Sequence, residues 1–107
     1  MFDAQLQFLA SDGFEWDENK SDANLAKHGI AFGEASEVFD GPIVVRRSDR
    51  NSEERWVAVG KSQDRLVAVI FTVRNKMIRI ISARHPRPNE ERAHRNASMG
   101  RSAKGQD

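Results

Sequence analysis

The sequence of 107 residues contains no cysteine and no tyrosine, and it has only three prolines. The absence of cysteine excludes disulfides and thiolate metal sites. No uninterrupted apolar stretch approaches the roughly 20 residues that a membrane-spanning helix needs. The opening segment, MFDAQLQFLASD, lacks the basic start of a signal peptide. We therefore expect a cytoplasmic protein with no membrane segment.

The sequence also lacks the patterns of common metal and cofactor sites. Its three histidines, His28, His85 and His94, show no i, i+4 pairing, and no paired carboxylates accompany them. No glycine-rich loop resembles a phosphate-binding or dinucleotide-binding motif, and no serine lies in a G-x-S-x-G segment. We therefore expect neither a metal ion nor an organic cofactor.

The formal net charge of +1 conceals an uneven distribution of charge along the chain. Residues 1–40 have a balance of −7, residues 41–73 of +2 and residues 74–107 of +6. Twelve of the 17 basic residues are arginine, whose planar guanidinium matches phosphate and stacks on bases. Two interpretations stay open: the basic end binds an anionic partner, or the two ends neutralise each other within one fold.

The hydropathy period predicts helices first and strands afterwards. A helix is predicted over 17–28, with Asp17 as its N-cap and Gly29 as the glycine that ends it. A second helix is predicted to end before Pro42. Period-two segments then predict strands joined by short turns, hence antiparallel neighbours, and Asn89 caps a final helix. The predicted strands cover 43–47, 55–60, 66–73 and 77–83, with a short one at 14–16, and the final helix covers 89–98.

The predicted architecture is therefore α+β. A small antiparallel sheet of about four strands has two N-terminal helices packed on one face, and a C-terminal helix follows. Residues 1–13 are predicted to form an N-terminal extension, residues 14–98 the domain, and residues 99–107 a disordered tail.

Arg79 is the most unusual candidate, because it interrupts an apolar strand. By alternation it shares a face with Met77, Ile81 and Ala83, opposite Ile78 and Ile80. Four further residues can join it on a basic, hydroxyl-bearing surface: Arg84, Thr72, Arg55 and Lys61. The alternative is a set of solvated arginines or ion pairs with Glu53 or Glu54. His28 similarly has two interpretations, a general acid or base, or a cation that interacts with a helix dipole.

Several segments together resemble the BrnT family of small bacterial toxins. They are FEWDENK at 14–20, KHGI at 27–30, RIISAR at 79–84 and Glu91-Arg92, and the resemblance covers residues 14 to about 95. It implies a RelE-like fold and a metal-independent endoribonuclease, the toxin of a type II toxin–antitoxin pair, which cleaves RNA and inhibits translation. It also implies a BrnA-like ribbon-helix-helix antitoxin that neutralises the toxin, and the complex represses its own operon by contacting operator DNA through the antitoxin.

The resemblance suggests how the candidate residues divide the work. We expect Arg79 and Arg84 to stabilise the transition state and His28 to transfer a proton, while four residues position RNA: Arg55, Lys61, Thr72 and Arg92. Similar sequences usually end Glu-Arg-x-x-Tyr, but this chain has no tyrosine, and His94 is the candidate to replace it. Because this tyrosine is absent, a second function stays an alternative: a non-catalytic antitoxin-binding or nucleic-acid-binding module that acts only in transcriptional repression.

Overall fold

The structure, a computed structural model, describes residues 12–106, with side chains described as far as residue 97. Most of the predicted extension at 1–13 therefore lies outside the described residues. The elements in chain order are β1 Phe14–Glu15, α1 Glu18–His28, α2 Phe32–Ser36, a 3₁₀ helix Glu37–Asp40, β2 Val44–Arg47, β3 Trp56–Ser62, β4 Arg65–Arg74, β5 Met77–Arg84 and α3 Pro88–Gln106. The predicted α+β class and order are confirmed.

The five strands form one mixed sheet in the order β1-β5-β4-β3-β2. Strands β2 to β5 are antiparallel neighbours, and for β3, β4 and β5 the short turns predicted this arrangement. The difference from the predicted four strands is β1, which pairs in parallel with β5 at the sheet edge, with Phe14 opposite Ile78 and Glu15 opposite Arg79. The predicted likeness to RelE stays a prediction.

Helix α1 is bounded by the two residues that the sequence indicated. The Asp17 carboxylate accepts hydrogen bonds from the backbone N–H groups of Asn19 and Lys20, which have no partner within the helix. At the other end Gly29 adopts φ 73°, the left-handed conformation in which glycine carries no steric cost, and its N–H donates to the Leu25 carbonyl.

Helical elements cover both faces of the sheet. On one face the segment from Ile30 to Phe39, containing α2 and the 3₁₀ helix, closes the main core around Phe71. On the other face Ala93 and Ala97 of α3 pack against a smaller cluster: Val44, Val57, Val59, Ala68 and Ile70. Helix α3 begins at Pro88, one residue before predicted, and extends to Gln106, through most of the predicted 99–107 tail.

A β-bulge in β5 changes which residues share a face. Ile70 of β4 pairs with Ser82, but its neighbour Phe71 pairs with Ile80, so Ile81 is an extra residue. Alternation restarts after it, and Ala83 joins the main core with Ile78 and Ile80. The predicted placement of Ala83 on the face of Arg79 is therefore wrong. The same shift brings Arg84 onto the face that carries Arg79.

Candidate functional site

A groove of about 370 Å³ lies on the face of the sheet that α3 partly covers. Its floor is apolar, and its walls come from β2, the β2–β3 loop, β5 and the connection to α3. Ten residues line it: Val57, Ile70 and Ile81, the serines Ser48 and Ser82, and five arginines, Arg46, Arg50, Arg55, Arg84 and Arg87. Five guanidiniums around one concave surface provide a strongly basic site for anionic groups.

The inner wall of the groove is organised around the buried carboxylate of Glu90. Arg84 binds it with both terminal nitrogens, Nη1 to Oε1 at 2.7 Å and Nη2 to Oε2 at 2.9 Å. Arg46 approaches from β2 and donates its Nη2 to Oε2 at 3.0 Å. Oε1 also accepts the backbone N–H of Arg87 at 2.8 Å, which caps the first turn of α3. One carboxylate therefore connects β2, β5 and α3.

Glu90 stays ionised in this position although it is fully buried. Burial alone raises the pKa of a carboxyl group, because it removes water from the charged form. Hydrogen bonds from Arg84, the Arg87 backbone and Arg46, with the charge of Arg84, outweigh that effect and lower the pKa of Glu90 to about 2. The carboxylate is therefore charged throughout the physiological pH range.

The outer wall is a hairpin whose tip carries Arg50. The backbones of Arg50 and Glu53 exchange two hydrogen bonds across a two-residue turn, whose central residues Asn51 and Ser52 have φ of 53° and 65°. Below the turn the Asp49 carboxylate accepts from the side chain of Arg47 and from the backbone N–H of Arg55. The Arg47 hydrogen bond holds the pKa of Asp49 below its usual range.

The five arginines differ in how many protein partners they have. Arg84 and Arg46 bind Glu90, and Arg55 donates its Nε to Glu53 at 2.6 Å. Arg50 and Arg87 are exposed, and neither side chain makes an ion pair or a hydrogen bond within the described part of the chain. Arg50 and Arg87 are therefore the two groove guanidiniums whose donors remain available to a ligand.

The predicted site residues fall into two groups. Arg84 and Arg55 line the groove. Arg79 and Thr72 are cross-strand neighbours on the same face, beside the Ile70–Ser82 pair that lines the groove. Arg79 lies 3.6 Å from the carboxylate of Glu15, and the hydroxyl of Thr72 donates to the Glu54 carbonyl. They extend the basic surface past the end of the groove.

Three other predicted residues are not brought into the groove lining. Lys61 is exposed near the far end of β3, and Arg92 is exposed on α3. His28 is the last residue of α1, which packs against β5 and α2. The interpretation of His28 as a dipole-stabilised helix end agrees with this position.

The sequence reasoning missed Arg46, Arg50, Arg87 and Glu90. For Arg87 and Glu90 the sequence held a signal, because a proline at the first helical position followed two residues later by a glutamate is typical of a helix N-terminus. That pattern places the Glu90 carboxylate next to Arg87. Nothing local to β2 or its loop indicates that Arg46 and Arg50 face the same groove as Arg84.

Other kinds of site are not found among the residues that the structure describes. Within 12–97 no three His, Asp or Glu side chains come together in a way that could hold a metal ion. In the same part of the chain no helix has the length and hydropathy needed to cross a bilayer.

The fold and the groove define a small α+β protein with an arginine-lined groove on one face of its sheet. The sequence model of one family, described as the ribonuclease toxin BrnT of type II toxin–antitoxin systems, matches residues 16–90. The chain therefore belongs to the BrnT family of ribonuclease toxins, as its motifs predicted, and membership implies an antitoxin partner. No curated protein matches the chain.

Proposed function

We propose that the protein is a metal-independent endoribonuclease that cleaves RNA in the arginine-lined groove and thereby inhibits translation. The observation that carries the proposal is the convergence of five arginines from four segments on one groove, in a member of a ribonuclease toxin family. Arginine binds phosphate through paired N–H donors, so this lining suits a ligand with several phosphates. An apolar floor between the arginines suits the faces of bases.

The proposed reaction needs cations, a base that accepts a proton and an acid that returns one. The base takes the proton of the 2′-hydroxyl as this oxygen attacks the adjacent phosphorus. The bond from phosphorus to the 5′-oxygen breaks, that oxygen receives a proton, and a 2′,3′-cyclic phosphate and a 5′-hydroxyl result. Negative charge accumulates on the phosphoryl oxygens in the transition state, where fixed donors stabilise it most. Arg84 is proposed for this role, and Arg50 and Arg87 for binding the flanking phosphates.

Of the remaining predicted residues, Arg55 is proposed to act at the groove wall and the others are proposed to act outside the groove. Arg79 and Thr72 continue the basic face beside it, so they can guide RNA toward the reacting phosphate. Arg55 can position RNA at the outer wall. Lys61 and Arg92 can contribute only longer-range attraction, which salt screens. His28 lies outside the groove lining, so its predicted role in proton transfer is not part of this proposal, and the substitution His28→Gln tests that role.

The test is cleavage of a fluorescently labelled single-stranded RNA by the purified protein in EDTA. Arg50→Gln and Arg87→Gln should each weaken RNA binding about tenfold, because a charged hydrogen bond contributes roughly 1.5 kcal/mol. Each should also reduce the slope of log K against log salt by about 0.7, the value for one phosphate contact. Lys76→Gln removes one charge from the exposed β4–β5 turn and is the matched control.

Three results would contradict the proposal. RNA that stays intact in every buffer would remove the enzymatic function. Cleavage that EDTA abolishes would overturn metal independence. Equal effects of Arg50→Gln and Lys76→Gln on affinity and salt slope would show that the groove does not contact phosphate.

We propose that the antitoxin partner is a BrnA-like ribbon-helix-helix protein, and that the complex represses its own operon in the cytoplasm. The basic face of the toxin is proposed to bind RNA, while operator DNA is contacted only through the antitoxin. Co-expression with the product of the neighbouring gene should give a stable complex that abolishes cleavage. In a gel-shift assay, operator DNA should bind the complex but not the toxin alone.

A second function, a non-catalytic antitoxin-binding or nucleic-acid-binding module, is favoured by the C-terminal helix. The chain has no tyrosine, and the match to the family ends at residue 90, the third residue of α3. Such a module would bind the partner tightly and leave RNA intact after long incubation. Cleavage by the wild-type protein that Arg84→Ala abolishes would exclude it.

A further inference from the structure

The geometry around Glu90 raises the question of why a charge is buried there. Its side chain has no exposed surface, and it meets the guanidiniums of Arg84 and Arg46, which are 19% and 21% exposed. A buried ion pair adds little net stability, because removing charges from water costs about as much as their attraction returns. Stability alone is therefore a weak reason for this arrangement.

Glu90 restricts what the two arginines can do. Arg84 uses Nη1 and Nη2 on the carboxylate, so its plane is fixed by two parallel hydrogen bonds. Arg46, from the other end of the sheet, uses Nη2 on the same oxygen that binds Arg84 Nη2. Both guanidiniums line the groove while they are bound to Glu90, and both are partly exposed. Their orientation is thus set before any ligand binds.

We propose that Glu90 is a positioning residue for RNA cleavage, which holds Arg84 and Arg46 in the orientation that meets the reacting phosphate. The inference rests on the proposed function, since it assigns a role within that reaction. Arginine side chains are flexible, and fixing them in advance removes an entropic cost from the transition state. Glu90 touches no substrate and acts through the two arginines.

Two simpler roles for Glu90 make different predictions. A carboxylate that merely neutralises the groove repels RNA, so its removal would strengthen RNA binding and leave kcat unchanged or higher. A carboxylate that merely caps α3 through the Arg87 N–H affects stability, and its removal would not act specifically on kcat. Positioning predicts instead a lower kcat with a nearly unchanged KM, despite the more positive groove.

The experiment measures kcat and KM of Glu90→Gln on a short labelled RNA, with Glu91→Gln as control. Glu91 is the next residue of α3 and loses the same charge, but its side chain makes no ion pair or hydrogen bond within the described residues. Glu90→Gln should lower kcat about 100-fold, the cost of a misplaced reacting group. Glu91→Gln should keep wild-type kcat. In an Arg84→Ala background Glu90→Gln should have a clearly smaller effect on kcat, because only the positioning of Arg46 is then left to lose.

Circular dichroism and thermal unfolding establish that each variant is folded. If Glu90→Gln does not fold, Glu90→Asp replaces it, because the shorter side chain keeps the charge but cannot reach both arginines, and the same loss of kcat is expected. Wild-type kcat in the folded variant, or full additivity with Arg84→Ala, would overturn the inference while the proposed function stands. Absence of cleavage by the wild-type protein would overturn both.

Discussion

Asn24 is the residue whose replacement should destabilise the fold most clearly. Its side chain is buried in α1 and 8% exposed. Its Nδ2 donates to the carbonyls of Ile30 and Ala83, both at 2.8 Å. Its Oδ1 accepts the backbone N–H of Ala83 at 3.2 Å and the hydroxyl of Ser82 at 3.3 Å. The amide therefore pairs with β5 as a neighbouring strand would, beyond the end of β1.

Asn24→Ala removes all four hydrogen bonds and leaves three backbone groups of a buried segment without these partners. Each hydrogen bond contributes about 1 kcal/mol net, and an unpaired buried group costs more than the bond contributed. The expected loss is therefore about 3 to 5 kcal/mol in the free energy of unfolding. This is a large part of the roughly 5 to 15 kcal/mol that stabilises a typical domain.

The measurement is chemical denaturation followed by circular dichroism, with Asn19→Ala as control. Asn19 lies in the same helix and is exposed, and only its backbone N–H takes part in the cap. Its replacement should change stability by less than about 0.5 kcal/mol. The melting temperature of Asn24→Ala should fall by roughly 4 to 8 °C per kcal/mol. A loss below about 1 kcal/mol would refute the reasoning that this amide completes the sheet edge.

Three further predictions concern packing, pH and catalysis. Gly60→Ala should destabilise the fold by about 1 to 3 kcal/mol in denaturation, because its Cβ would lie 2.8 Å from Val38 and 2.9 Å from Ile43. Glu90 has its pKa lowered to about 2 from 4.5, so the folded state favours its ionised form, and the free energy of unfolding should fall by roughly 2 to 3 kcal/mol as protonation proceeds from pH 4.5 toward 2. Unfolding of Glu90→Gln should therefore depend less on pH in that range, and an equal dependence would contradict the prediction. His28→Gln should keep RNA cleavage, because His28 does not line the groove, whereas loss of a general base would cost about 100-fold or more.

Much of the fold was predictable because its signals are local. The cap at Asp17, the left-handed Gly29 and the alternating strands depend on neighbouring residues, and the structure confirms them. The strand at 14–16 was predicted, but its pairing with β5 was not, because the partner strand lies far along the chain. The covering of the second face by α3 was also missed, since the apolar residues that α3 packs there, within the described side chains, are two small alanines, Ala93 and Ala97.

The candidate site was predictable only in part. Two of the predicted residues, Arg84 and Arg55, line the groove, and Arg79 lies beside it. The face shared by Arg79 and Arg84 depends on the bulge at Ile81, which pairing with β4 creates and which simple alternation cannot show. Arg46 and Arg50 were not identified, because they are far from Arg84 in sequence and are brought to it by the order of strands.

The sequence by itself determined the α+β class, the BrnT family and the concentration of arginine toward the C-terminal part, because capping, periodicity and motifs are properties of adjacent residues. Only the tertiary structure decided which arginines act together. Their grouping depends on strand order, on one inserted residue in β5 and on a buried carboxylate that three segments share. These contacts join residues that are distant in sequence.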